Sequence, residues 1–151
     1  MSYFSQIENT TIDASYAYVM TPMLADLVAM QSLYGTAGDL RTGNDIYGGG
    51  STIDNYLDAL NSLSSGISVT FMIVDDGGTD LLNLRTSLAN NRLSLLEETY
   101  SDIEGVIGNI GIARGTVIEN ATTGSGNDTV IGNDADNVLN TGAGDDSAEG
   151  G

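Results

Sequence analysis

The spacing of apolar residues changes along this chain, from a helical rhythm near the start to a nine-residue rhythm at the end. In TPMLADLVAMQSLYG, residues Met23, Leu24, Leu27, Met30, Gln31 and Tyr34 follow a mostly apolar three-and-four spacing. Val28 and Leu33 widen that stripe, which predicts a helix packed through one face. Thr21 suits the N-cap, Pro22 the first helical position, and Gly35 a left-handed cap. Upstream, residues 1–20 read as polar and irregular, with aromatics at Tyr3, Phe4, Tyr16 and Tyr18.

Beyond the helix the rhythm shortens. Residues 36–66 are rich in Gly, Asn, Asp and Ser, with brief apolar insertions at Asp45-Ile46-Tyr47 and Tyr56-Leu57, and predict loops with short strands. Residues 67–74, ISVTFMIV, are β-branched and apolar and predict a strand, closed by Asp75-Asp76-Gly77-Gly78. Leu81–Leu84 and Leu93–Leu96 predict two more short strands. From Val106 to Ile118 apolar residues alternate with Gly108, Gly111 and Gly115, as stacked short strands with tight turns would require.

The last part is the most regular. Thr123 to Glu149 reads TGSGNDTVI, GNDADNVLN, TGAGDDSAE. Position two is Gly124, Asn133 and Gly142, and position four is Gly126, Ala135 and Gly144. Position six is Asp128, Asn137 and Asp146, and position eight is Val130, Leu139 and Ala148. Counting back by nine brings Arg114–Thr122 into the frame, with Gly115 at position two and Glu119 at position six. The strand-rich middle is thus expected to merge into the array without a sharp boundary after Gly66.

This pattern resembles the G-G-x-G-x-D-x-U-x nonapeptide of calcium-binding RTX repeats. Calcium takes six to eight oxygen ligands from carboxylates and carbonyls. Six residues can form a turn whose glycines expose carbonyls towards one point, and three can form a strand whose position-eight side chain points inward. With two nonapeptides per coil, Asp128 and Asp146 become stacked neighbours, whereas Glu119 faces Asn137, a weaker combination. Without an ion these carboxylates repel, so calcium binding is expected to be coupled to folding. The rival reading, a solvated Gly/Asn/Asp linker, does not explain an apolar position eight kept in register. Asp75-Asp76-Gly77-Gly78-Thr79-Asp80 is either a second oxygen cage or an ordinary acidic turn. Glu97, Glu98, Asp54 and Asp58 read as solvated faces, and the N-x-T triplets at Asn9, Asn120 and Asn127 as accidental.

Charge narrows the partners. There are 21 acidic residues against four basic ones, all arginine, for a net charge of −17. Such a surface repels nucleic acid and anionic lipid and attracts hard cations. With no cysteine and no histidine the chain forms no disulfide and cannot complete a usual zinc site alone. No apolar run is long enough to span a membrane, and MSYFSQIENT lacks the pattern of a signal peptide.

Nearly the whole chain resembles the C-terminal half of the serralysin family, secreted bacterial zinc metalloproteases of the metzincin type. MSYFS matches the family's Met-turn and TPMLADLVAMQSLYG the helix after it, while RTGND, DDGGTD and TVIENATTGSGND follow in the family's order. The resemblance implies a mainly β fold: a parallel β-roll over 37–151, preceded by one helix in a catalytic-domain remnant at 1–36. It implies roles for Met1 as the Met-turn methionine and Tyr3 as a zinc or oxyanion tyrosine. It also implies calcium sites at Arg41, Gly43 and Asp45 with Asp75, Gly77 and Asp80, and at Gly78, Asp80, Val117 and Glu119. With Gly124, Gly126, Asp128, Asn137, Gly142, Gly144 and Asp146 from the repeats, these complete the candidate metal ligands.

The family's zinc motif H-E-x-x-H-x-x-G-x-x-H is absent. The expectation is therefore a non-catalytic calcium-binding module, a fragment at both ends, with zinc only in a full-length parent. Its expected partners are calcium ions and an upstream catalytic domain, and its expected place is outside a bacterial cell after type I secretion. The alternative is a stand-alone secreted calcium-dependent structural or binding protein.

Overall fold

Residues 15, 17–35, 38, 40–53 and 68–151 are described by a computed structural model. In chain order they form β1 (Tyr18–Val19), α1 (Leu24–Tyr34), β2 (Ile46–Gly48), β3 (Val69–Ile73), β4 (Leu81–Asn83) and β5 (Arg92–Ser94). After these come β6 (Tyr100–Ile103), β7 (Val106–Ile112), β8 (Asn120–Thr122), β9 (Thr129–Ile131), β10 (Val138–Asn140) and β11 (Ser147–Glu149). Met1, Tyr3 and Tyr56-Leu57 lie outside the described residues.

The fold is mainly β, a parallel roll. One sheet has the order β10-β8-β4-β2, all parallel. The other has the order β1-β3-β7-β6-β5-β9-β11 and is parallel except where β6 runs against β5 and β7. From β2 onward the chain alternates between the sheets, apart from the inserted β6–β7 pair. Strand partners in the last coils sit 18 residues apart, as Leu139 opposite Ala121 and Ala148 opposite Val130. Two nonapeptides therefore make one coil, and the degenerate repeat at Arg114–Thr122 is in frame.

Position eight builds the core. Tyr47, Leu82 and Ala121 line one sheet in register, Leu93 and Val130 the other, and all five are buried with Phe71, Ile73, Ile110, Ile112 and Ile118. Each large aliphatic residue so buried contributes about 1.5–3 kcal/mol. Cover thins toward the end of the array, where Leu139 is only partly buried and Ala148 is exposed.

Three local expectations change. The helix begins after Met23, its N-cap, whose N–H is accepted by Asp26 at 3.3 Å. Thr21 is engaged elsewhere: its hydroxyl accepts the Met72 N–H at 2.8 Å and donates to the Pro22 carbonyl. Gly35 still ends the helix, but at φ 81 and ψ 171 rather than in the left-handed helical region. No helix residue is buried. Its apolar residues form two stripes rather than one: Leu24, Leu27 and Val28 are half-buried, beside the polar Gln31, while Met30, Leu33 and Tyr34 are exposed.

The segment from Val106 to Ile118 is not a stack of short strands. It opens with the seven-residue strand β7, folded against β6 through a two-residue turn in which Glu104 and Gly105 have φ 56 and 75. Two positive φ values match the twist of a tight hairpin. The Asn109 amide reinforces it, accepting the Ile103 N–H and donating to the Ile103 carbonyl. Finally, β5 starts one residue before Leu93; Leu95 is buried beyond its end and Leu96 is exposed.

Candidate metal centres

Seven of the strands are preceded by a position-six residue, and these residues form two ladders. Asp45, Asp80, Glu119 and Asn137 stand before β2, β4, β8 and β10, while Asn91, Asp128 and Asp146 stand before β5, β9 and β11. Along each ladder a carboxylate accepts the backbone N–H of its counterpart one coil earlier. Asp80 Oδ1 accepts from Asp45 at 2.7 Å and Glu119 Oε2 from Asp80 at 2.7 Å. On the other side Asp128 Oδ1 accepts from Asn91 at 2.8 Å and Asp146 Oδ1 from Asp128 at 2.9 Å.

This pattern uses only one oxygen of each carboxylate. Asp80 and Asp128 are 0% and 1% exposed, and Oδ2 of each is buried without a hydrogen-bond partner. A buried carboxylate oxygen without a partner is costly, and a cation is the natural complement to it. Burial pushes the Asp80 carboxyl up to about 6, helped by the neighbouring Asp75, Glu119 and Asp45 and opposed by the Asp45 N–H.

Glycine positions bring the turns of successive coils into close backbone contact beside these ladders. A Cβ added at Gly124 or Gly126 would lie 1.9 or 2.0 Å from the carbonyl oxygen of Ser87 or Ala89. At Gly142 and Gly144 it would lie 1.9 and 2.2 Å from the carbonyl oxygens of Gly124 and Gly126, and at Gly78 2.0 Å from that of Gly43. Side chains are excluded here because successive turns stack backbone on backbone. Among the described residues no group of three or more acidic side chains is positioned to hold a metal ion. An ion at these ladders must draw on carbonyl oxygens too, the donor set hard calcium accepts.

The predicted residues fall into separable groups. Arg41, Gly43 and Asp45 meet Asp75, Gly77, Gly78 and Asp80: the Asp76 N–H reaches the Arg41 carbonyl at 3.3 Å and the Thr79 N–H the Asn44 side chain at 3.0 Å. Asp75 is already satisfied, accepting the Gly77 N–H at Oδ1 and the buried Tyr47 hydroxyl at Oδ2. Burial raises both the Asp75 carboxyl and the Tyr47 phenol, and the Arg41 guanidinium lies 5.8 Å from the Tyr47 ring centre. Glu119 joins Asp80 as described, with Val117 at position four of its coil. Gly124, Gly126 and Asp128 meet Gly142, Gly144 and Asp146. Asn137 instead donates its amide to the Glu119 carbonyl and Asn133 Oδ1.

Ser87, Ala89 and Asn91 complete the second ladder and were not anticipated. Asn91 and Asp128 are 37 residues apart, so counting back by nine misses them. The extra length is the β6–β7 hairpin.

The family described as Peptidase M10 serralysin C terminal matches residues 36–150. Among curated relatives, the chain is 38% identical over 142 residues to Metallopeptidase AprA of Pseudomonas marginalis, covering 92% of this chain and 29% of that protein. It is 41% identical to Serralysin of Photorhabdus luminescens, covering 92% and 28%, and 43% identical to Serralysin B of Dickeya chrysanthemi, covering 87% and 27%. The chain thus spans less than a third of the length of these relatives. With the family match over most of its length and a parallel roll to go with it, the chain belongs to the serralysin C-terminal family.

Proposed function

We propose that this chain is the calcium-binding β-roll of a secreted serralysin-like zinc metalloendopeptidase, supporting calcium-dependent folding and export and not catalytic by itself. The observation that carries this reading is the pair of buried, unpartnered oxygens, Asp80 Oδ2 and Asp128 Oδ2, each on a ladder of stacked carbonyl-rich turns. Asp45, Asp80 and Glu119 with the turns of Arg41, Gly43, Gly77, Gly78 and Val117 would hold calcium on one side. Asp128 and Asp146 with Gly124, Gly126, Gly142 and Gly144 would hold it on the other. The bound ion would neutralise carboxylates that the fold has already drawn together, coupling binding to folding.

Affinity in the range of extracellular calcium modules, about 10⁻⁴–10⁻³ M, would leave the roll loose inside the cell and close it outside. Zinc is a different matter. The chain has neither histidine nor cysteine, so its residues do not fit a zinc centre. In this reading residues 1–36 continue an upstream catalytic domain, where Met1 and Tyr3 would border the zinc, and residues 37–151 are the roll. Circular dichroism during a calcium titration of the purified chain tests the reading. Strand signal should rise with calcium and fall with chelator; a spectrum indifferent to both overturns it.

A further inference from the structure

The Asn91 side chain stands where the repeat pattern puts an acid, and its hydrogen bonds are those of a bound cation's surroundings. Its amide nitrogen lies 3.0 Å from each of three acceptors that its two N–H groups share: Ser87 Oγ, the Ala89 carbonyl and Asp128 Oδ1. These are a side-chain oxygen of position two, the carbonyl of position four and the position-six carboxylate one coil later. The last two are the oxygen types the repeat would offer to an ion. The orientation of the amide is fixed from its other end, because Asn91 Oδ1 accepts the Glu104 N–H at 3.0 Å. Asn91 is 3% exposed, and its bonds to Ser87 and Asp128 are buried.

We infer that the Asn91 carboxamide is a built-in substitute for a cation, so that the seam between β5 and β9 closes without calcium while the other acidic rungs require it. The chemistry suits the place. A carboxamide brings two donors and one acceptor, whereas a carboxylate brings acceptors only. The inserted β6–β7 turn presents an N–H that needs an acceptor, and the Asp128 rung presents a carboxylate that needs a donor. Asparagine serves both at once. Aspartate could still accept from Glu104, but it would face Asp128 with like charge, strip the Ala89 carbonyl of its amide donor, and leave Ser87 Oγ and Asp128 Oδ1 with only the backbone N–H groups of Ala89 and Asn91. Those oxygens, with the new carboxylate, would then form a calcium site.

This inference rests on the proposed calcium-binding reading, and the experiment separates the two. Calcium binding to wild type, Asn91→Asp and Asn91→Ala is measured by isothermal titration, with thermal melts of each in calcium and in chelator. Asn91→Asp should bind about one more calcium per chain than wild type, melt lower in chelator, and regain the loss in calcium. Asn91→Ala should bind the same number of ions as wild type and melt lower in both conditions. If Asn91→Asp does not fold, the Asn91→Ala count still decides: the loss of one ion would make Asn91 a calcium ligand and overturn the inference. An unchanged count in a folded Asn91→Asp also overturns it. A wild type that binds no calcium defeats the functional reading instead.

Discussion

The two position-six ladders occupy equivalent places in the roll and are closed by different chemistry. On the four-stranded side Asp45, Asp80 and Glu119 follow one another with no donor side chain until Asn137. On the other side the first rung is Asn91, whose amide already satisfies Asp128 Oδ1, and only the next pair, Asp128 with Asp146, is purely acidic. A carboxamide rung is held by the protein's own donors, whereas in the proposed calcium-binding reading a carboxylate rung waits for a counter-charge from outside. The ladders should therefore respond differently when that counter-charge is taken away.

Calcium removal is the largest perturbation. In chelator, amide exchange should quicken most at Asp80 and Leu81, whose N–H groups bond within the acidic ladder, and around Ser147 at the end of the roll. Protection should persist longest at Asn91 and Thr129, which flank the amide-closed seam. Hydrogen-exchange mass spectrometry reads this directly, and uniform loss of protection across both ladders would abolish the distinction between them.

Single carboxylates come next. Asp80→Ala and Asp128→Ala should each weaken calcium binding by at least about 10–100-fold, the range seen when even supporting groups around a metal are removed. They should differ in the metal-free state. Asp128→Ala strips the acceptor from the buried Asn91 backbone N–H and removes one of three acceptors around its side-chain amide, and should cost about 1–3 kcal/mol in chelator. Asp80→Ala also frees one N–H, of Asp45, but relieves a buried acid crowded by other acids. Its cost in chelator should be the smaller. Denaturant melts of the two variants give the comparison, and equal losses would mean that Asn91 adds nothing to its ladder.

Glycine substitutions probe the stacked turns that both ladders share. Gly126→Ala drives a methyl to 2.0 Å from the Ala89 carbonyl oxygen and should cost about 1–3 kcal/mol through overpacking. Gly115→Ala meets nothing within 4 Å, and only its φ of +81 resists the change, which should cost about 1 kcal/mol. A reversed order in thermal melts would show that backbone conformation, rather than the close approach of the coils, demands glycine in these turns.

How far the sequence anticipates this structure follows from where each signal is local. Asp128 and Asp146 are one regular coil apart, so the nonapeptide alone pairs them, and Val130 and Ala121 fall into the core as the period requires. The same count fails at Asn91 because a hairpin interrupts the period, and its turn, Glu104-Gly105, lacks the usual Asn-Gly or Asp-Gly signature. The helix stripe was legible, but which of its two apolar faces meets the roll depends on tertiary contacts such as the Gln31 amide to the Arg114 carbonyl. Asp75 looked equivalent to Asp80 in DDGGTD. Only the fold reveals that Tyr47, 28 residues away, satisfies one and not the other.

The smallest effect is one of sign. Burial first, then the nearby Asp75, Glu119 and Asp45, raise the folded Asp80 carboxyl from 3.8 to about 6. In the metal-free protein its contribution to stability is fully present below about 3.8 and is lost as pH rises through about 6, because the unfolded chain holds the ionised form more easily. Asp75 is raised by burial as well and works in the same direction. If Asp80 is a calcium ligand, saturating calcium reverses that slope, since the ion binds the carboxylate and protons compete with it. Melting temperature between pH 4 and 6 should therefore fall with pH in chelator and rise with pH in calcium. Asp80→Asn should flatten both slopes, leaving the residual share of Asp75 in chelator. Slopes of the same sign in the two conditions would remove Asp80 from the ion's ligands and leave the acidic ladder with no advantage over the amide-closed one.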